Sequence, residues 1–193
     1  MDCWRISALA ACLLIASVSP SLANLVTDPG FESCTTFGQS PLPGWSATAT
    51  FAFCDMNPHT GSWNASLDTP IGLSVTLSQS IPTTPGDSYD FSFWLSGDLP
   101  PSPNAFTASF GTEQVLNLVN PASFPYTFEN FTAAASGTTT TIAFTGSTNG
   151  AGGWNVDDVS VTAVAAVPEP ASLALLVTGL LSLAAIRRRR SAN

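Results

Sequence analysis

The sequence contains no lysine, and its five arginines stand at position 5 and at positions 187 to 190. From Ile6 to Ile186 the only side chain able to carry positive charge is His59. Between Asn24 and Val167 there are eleven Asp and Glu. An acid-only surface repels phosphate backbones and anionic lipid heads, so nucleic-acid binding is excluded. The arginine or lysine clamp that acidic and phosphorylated substrates need is missing as well. Charge of any sign is scarce, at 9 % of residues. Aromatic residues make up 10 %, and the glycines and prolines are dispersed as turn punctuation, so a packed domain is expected rather than a disordered one. Helical periodicity is absent everywhere except near the two ends.

What is present in its place is alternation. "WSATATFAF" puts Trp45, Ala47, Ala49, Phe51 and Phe53 on one face, "LSVTLSQSI" does so with Leu73, Val75, Leu77 and Ile81, and "DSYDFSFWL" with Tyr89, Phe91, Phe93 and Leu95. Further strands are predicted at 105–110, 114–119, 126–132, 138–144 and 154–164. "TTPGD" (83–87), "DLPPSPN" (98–104) and "TNGAGG" (148–153) are the turns between them. Eight or nine short strands, each with one apolar face, predict an all-β domain of two packed antiparallel sheets over 24–164.

The two ends read as addresses. Arg5, the apolar run "ISALAACLLIASV" and the small residues Ser21 and Ala23 form a signal peptide over 1–23, a signal helix cut by signal peptidase before Asn24 during secretion. A lipoprotein signal at "LAAC", with Cys12 modified, would leave about six apolar residues before the cut, below the usual ~7–15. At the other end, residues 171–186 form an apolar run that would span about 24 Å as a transmembrane helix, short for a hydrocarbon core of ~30 Å. Arg187, Arg188, Arg189 and Arg190 hold its far end in the cytoplasm. A permanent single-span anchor is one reading. The other comes from "VPEP" (167–170), the short span and the terminal arginines, which together resemble the PEP-CTERM sorting signal, here 165–193. The resemblance implies recognition of Pro168, Glu169, Pro170, the span and the arginines by an exosortase, which cuts near the Pro-Glu-Pro. It implies a Gram-negative bacterium that makes exopolysaccharide, with an inner-membrane-anchored precursor delivered to the cell surface or matrix. The prolines suit this by keeping the backbone extended and unpaired.

Once the signal peptide has gone, the remaining cysteines are Cys34 and Cys54, which in an oxidising compartment predict a disulfide. "NLVTDPGFES" (24–33), "PLPGW" (41–45), "HTGSW" (59–63), the 77–95 segment and "GGWNVDDVSV" (152–161), in that order, resemble the galactose-binding-like jelly roll of carbohydrate-binding modules. That resemblance implies a structural Ca²⁺ tying the first strand to the last, held by Glu32 and by Asp157 or Asp158 with carbonyls near His59 to Gly61. Hard oxygens from separate loops suit that ion. Alternation places Asp157 with Val159 and Val161, facing inward. The competing reading is a turn-capping acid pair. Trp63, Trp94 and Trp154 could stack on sugar rings, with Asn64, Asn104, Asn155 and Asp98 supplying hydrogen bonds; the competing reading is core packing, with Trp94, opposite the core face, the most exposed. No nucleophile elbow is present and no carboxylate pair stands out by spacing, so no enzyme is expected. The expectation is an exported, exosortase-sorted protein binding neutral glycan or extracellular polysaccharide, with a hydrolase on the same fold or a structural adhesion protein as the alternatives.

Overall fold

A computed structural model of the chain describes residues 23–98, 103–150, 152–165, 179–180 and 187–188. The expected signal helix and transmembrane helix lie outside these residues, apart from the helical pairs Gly179–Leu180 and Arg187–Arg188. Among the described residues, no helix is long and apolar enough to cross a membrane.

The fold is all-β. Ten strands follow one another: β1 (Ser46–Ala47), β2 (Ala52–Asp55), β3 (Asn64–Leu67), β4 (Val75–Pro82), β5 (Ser88–Gly97), β6 (Ala105–Phe110), β7 (Glu113–Val119), β8 (Phe124–Ala134), β9 (Thr139–Ser147) and β10 (Trp154–Ala163). They form two five-stranded antiparallel sheets, ordered β1-β4-β9-β6-β7 and β2-β3-β10-β5-β8. Alternation is what closes the core. Val75, Leu77 and Ile81 of β4, from one sheet, and Phe91, Phe93 and Leu95 of β5, from the other, line the layer between the sheets, and all six are buried. Phe144 stands at its centre, edge-on to Phe93 at 4.9 Å and within 6.2 Å of Trp45, Phe91 and Phe106. Such ring clusters gain about 0.5–1.5 kcal/mol per pair beyond the area they bury.

The structure corrects the sequence reading in three places. The run 45–53 is not one strand: its two ends belong to different sheets, and the chain crosses between them through a turn closed by Ala52 N–H donating to the Ala49 carbonyl. The crossing reverses parity, so Ala52 and Cys54 are buried while Phe53 turns outward beside Phe37. Leu73, expected on the core face, lies before β4 and is exposed. In β10 the pairing with β5 slips between Asp157 and Ser160, where Asp158 adopts φ 48°. This bulge keeps Val156, Val159 and Val161 all inside and puts Asp157 on the outer face, opposite Trp94.

Cys34 and Cys54 form the expected disulfide, with Cα atoms 6.1 Å apart. Gly38 N–H donates to the Cys54 carbonyl and Cys54 N–H to the Gln39 carbonyl, so the bridge fastens the leading loop to β2. A thiol reagent should label neither cysteine in the native exported protein. Converting both to serine should cost about 3 kcal/mol of unfolding free energy, from the loop of 20 residues released in the unfolded chain.

Candidate functional site

The outer face of the β2-β3-β10-β5-β8 sheet carries two adjoining arrangements. The first is a clamp on the loop between β2 and β3. Asp157, fully buried, accepts the amides of His59 at 2.8 Å and Thr60 at 3.1 Å through Oδ2, and that of Asp158 at 2.7 Å through Oδ1. Asp158 takes the Thr60 hydroxyl at 2.7 Å and pairs with His59 Nδ1 at 2.7 Å. Glu32 Oε1 accepts the amides of Ser62 at 2.8 Å and Trp63 at 3.1 Å. A side chain at Gly61 (φ 70°) would strike the Glu32 carboxylate, so this docking requires glycine. The His59 ring lies flat on Trp94, with centroids 3.7 Å apart and planes 14° apart. Burial pushes Asp157 up to about 6, since no basic side chain offsets the loss of water.

The implied calcium site can be tested against these groups. A β-carbon built on Gly30 would stand 3.6 Å from Asp158 Oδ1 and 3.8 Å from Asp157 Oδ1, but beside the Glu32 Cγ methylene rather than its carboxylate, which is turned to Ser62 and Trp63. Among the described residues, no three His, Cys, Asp or Glu lie close enough to hold a metal by side chains alone. Main-chain carbonyls would have to complete the shell, as hard cations permit.

The second arrangement is an open cleft of about 490 Å³ beside the clamp. Its floor is a polar ladder across adjacent strands. Asn64 Nδ2 donates to Asn155 Oδ1 at 3.2 Å, and Asn155 Nδ2 donates to Ser96 Oγ at 3.4 Å. Tyr126 and Phe124 form one wall, Asn57 and Pro58 the other, and Asp98 closes one end. The Tyr126 hydroxyl donates to the Asn57 carbonyl at 2.9 Å, bridging the walls. Burial, together with the charge of Asp157, holds that phenol above its ordinary range, so it stays a neutral donor. A second depression of about 640 Å³ lies between Phe51, Asp68, Ile71 and Asn149.

Of the residues expected to meet a ligand, Asn155 and Asp98 line the cleft, Asn64 joins its floor through Asn155, and Asn104 is buried. Trp154 offers no ring face: it is wholly buried, and its indole N–H donates to the Ser147 carbonyl at 3.1 Å. Trp63 packs against the core edge. Trp94 does point outward, but His59 covers it. The aromatic wall of the cleft is Tyr126 with Phe124, and Tyr126 reads in sequence as an ordinary strand residue.

No curated protein matches this chain. Residues 166–190 match the model of the PEP-CTERM protein-sorting motif, which marks an exported protein with a membrane-anchoring C-terminal signal. The chain carries a PEP-CTERM tail. Among solved structures, the sandwich resembles TmCBM61, determined with β-1,4-galactotriose, at TM-score 0.56 and 18 % identity, covering 74 % of this chain and 99 % of that one. It also resembles the CBM22-1 xylan-binding domain of Paenibacillus barcinonensis Xyn10C, at TM-score 0.52 and 12 % identity, covering 78 % and 100 %. A third neighbour is the enzymatically active domain of tailspike protein 4 from bacteriophage CBA120, at TM-score 0.52 and 15 % identity, where 73 % of this chain spans 21 % of that one. These likenesses establish a carbohydrate-binding-module-like β-sandwich ahead of the PEP-CTERM tail.

Proposed function

We propose that this PEP-CTERM protein is cut by signal peptidase after Ala23, sorted by an exosortase to the cell surface or matrix of a Gram-negative bacterium, and binds a neutral glycan of the extracellular polysaccharide. The cleft carries this reading. Its amide, hydroxyl and aromatic groups are those that recognise sugar hydroxyls and ring faces, and the domain offers no cation for an acidic polymer. Sandwiches of this fold include one determined in complex with β-1,4-galactotriose and one named as a xylan-binding domain. Asp157, Asp158 and Glu32 are engaged in holding the 59–63 loop, and the cleft lining holds one carboxylate, Asp98, where a glycosidase uses a pair, so we assign binding rather than catalysis. Glu32 and Asp157, with carbonyls near Gly61, are the groups we assign to a structural calcium ion.

A glycan array probed with the exported protein should return neutral polysaccharides. Tyr126→Ala should weaken the best of them roughly tenfold, the ~1.4 kcal/mol expected when a site loses one hydrogen-bonding group and its ring contact. Ile71→Ala, in the other depression, should leave binding unchanged. If Ile71→Ala alone weakens binding, the site is the second depression. Reducing sugar released from a bound glycan would show a hydrolase.

A further inference from the structure

Both ends of the sandwich leave from one pole, and the cleft is at the other. Val164 N–H donates to the Ser88 carbonyl at 2.8 Å, fastening the outgoing chain to the start of β5. At the incoming end, Leu25 N–H donates to the Val161 carbonyl, and the Asn24 side chain bonds the Val159 carbonyl and the Val161 amide. Two turns surround the exit. Thr83 N–H donates to the Thr138 carbonyl, Gly86 N–H to the Ala135 carbonyl and Ala135 N–H to the Asp87 carbonyl, so the 83–88 and 135–138 turns are tied together. Gly97 and Asp98 of the cleft lie at the far end of β5, a ten-residue strand, about 30 Å away at ~3.3 Å per residue.

Three residues separate Val164 from Pro168. Four fully extended steps reach at most about 14 Å. A peptidase that binds its substrate extended needs the residues on both sides of the cut inside its groove. For a cut near Pro168 to Pro170, the upstream residues in that groove are the ones that leave the folded pole, and the groove's rim must meet it.

We propose that the pole built from the 83–88 and 135–138 turns is the docking face for the membrane-bound peptidase that cuts this chain, and that the folded sandwich stands on that pole with its cleft pointing away from the membrane. This rests on the exosortase reading of the tail. Thr84 and Ser136 are exposed, one on each turn. In a host with an exosortase, loss of the arginine tail is followed by intact mass after pulse labelling of the full chain. In Thr84→Trp/Ser136→Trp, bulk on the docking face should slow trimming at least fivefold. Adding ten Gly and Ser residues between Ala165 and Ala166 to that same variant should return trimming to within twofold of the unsubstituted chain, because the enzyme then reaches the motif without touching the pole. Trimming unaffected by the two tryptophans overturns the proposal. So does trimming slowed equally with the spacer in place, the result expected of damaged folding. An unsubstituted chain that keeps Arg187 to Arg190 would instead bring down the exosortase reading itself, and this docking face with it.

Discussion

A chain with Pro168, Glu169 and Pro170 replaced by three alanines should accumulate at full length in the inner membrane of an exosortase-bearing host, while the unsubstituted chain loses its arginine tail. The contrast is close to all-or-none because the two functions of the tail rest on different groups. Retention needs only the apolar run 171–186 and the four arginines, which the positive-inside rule keeps in the cytoplasm. Both survive the substitution. Cleavage needs the Pro-Glu-Pro presented as an extended strand without competing pairing, which the two prolines secure by fixing φ and removing backbone donors. Three alanines relax that constraint and extend the helix-forming segment towards the sandwich. Intact mass of the membrane and surface fractions reads the result directly. If both chains keep Arg187 to Arg190, the match over 166–190 describes an anchor alone.

How much of the molecule could be read from the chain depends on whether neighbouring residues or distant ones decide each position. β4, β5, β6 and β9 were legible because each has one face in the core, and alternation records that face locally, as in Tyr89, Phe91, Phe93 and Leu95. β3 was not. Its four residues are all buried, Ala65 and Leu67 in the core and Asn64 and Ser66 beneath the outer face, so no exposed partner marks the alternation. The clamp acids could be named through the jelly-roll resemblance, which singles out Glu32, Asp157 and Asp158 among the eleven carboxylates between Asn24 and Val167. Their geometry could not, because a bulge at Asp158 shifts parity by one residue and leaves no local trace. The cleft was the least legible part. Asn155, Ser96 and Tyr126 come from three strands that register alone brings side by side, and an outward tyrosine on an edge strand looks the same in sequence whether or not it lines a site.

Asp157→Ala should be among the most damaging single changes in the sandwich, and its size and calcium dependence together show what the residue is for. The substitution leaves the amides of His59, Thr60 and Asp158 without their acceptor. At ~1–3 kcal/mol for each buried donor left unmet, and with the loop amides partly recovered by water, the loss is about 3 kcal/mol. For a domain of this size that is on the order of a 10 °C fall in Tm. Calcium adds a separate contribution. A bound ion at a hundredfold excess over its Kd stabilises by about 2.7 kcal/mol, which a chelator removes. The unsubstituted protein should therefore melt several degrees lower in chelator, while Asp157→Ala, already lower, should not respond. The pH dependence supplies an independent sign. Burial raises Asp157 from 3.8 to about 6 in the folded state, so the metal-free protein is favoured below about pH 4 and loses that stability as pH rises through 6. A divalent cation favours the ionised carboxylate and should flatten this slope, which chelator would restore. A melting curve that is identical with and without chelator at every pH, alongside a large loss in Asp157→Ala, would mean that the three amides are the carboxylate's whole task and that no calcium is bound.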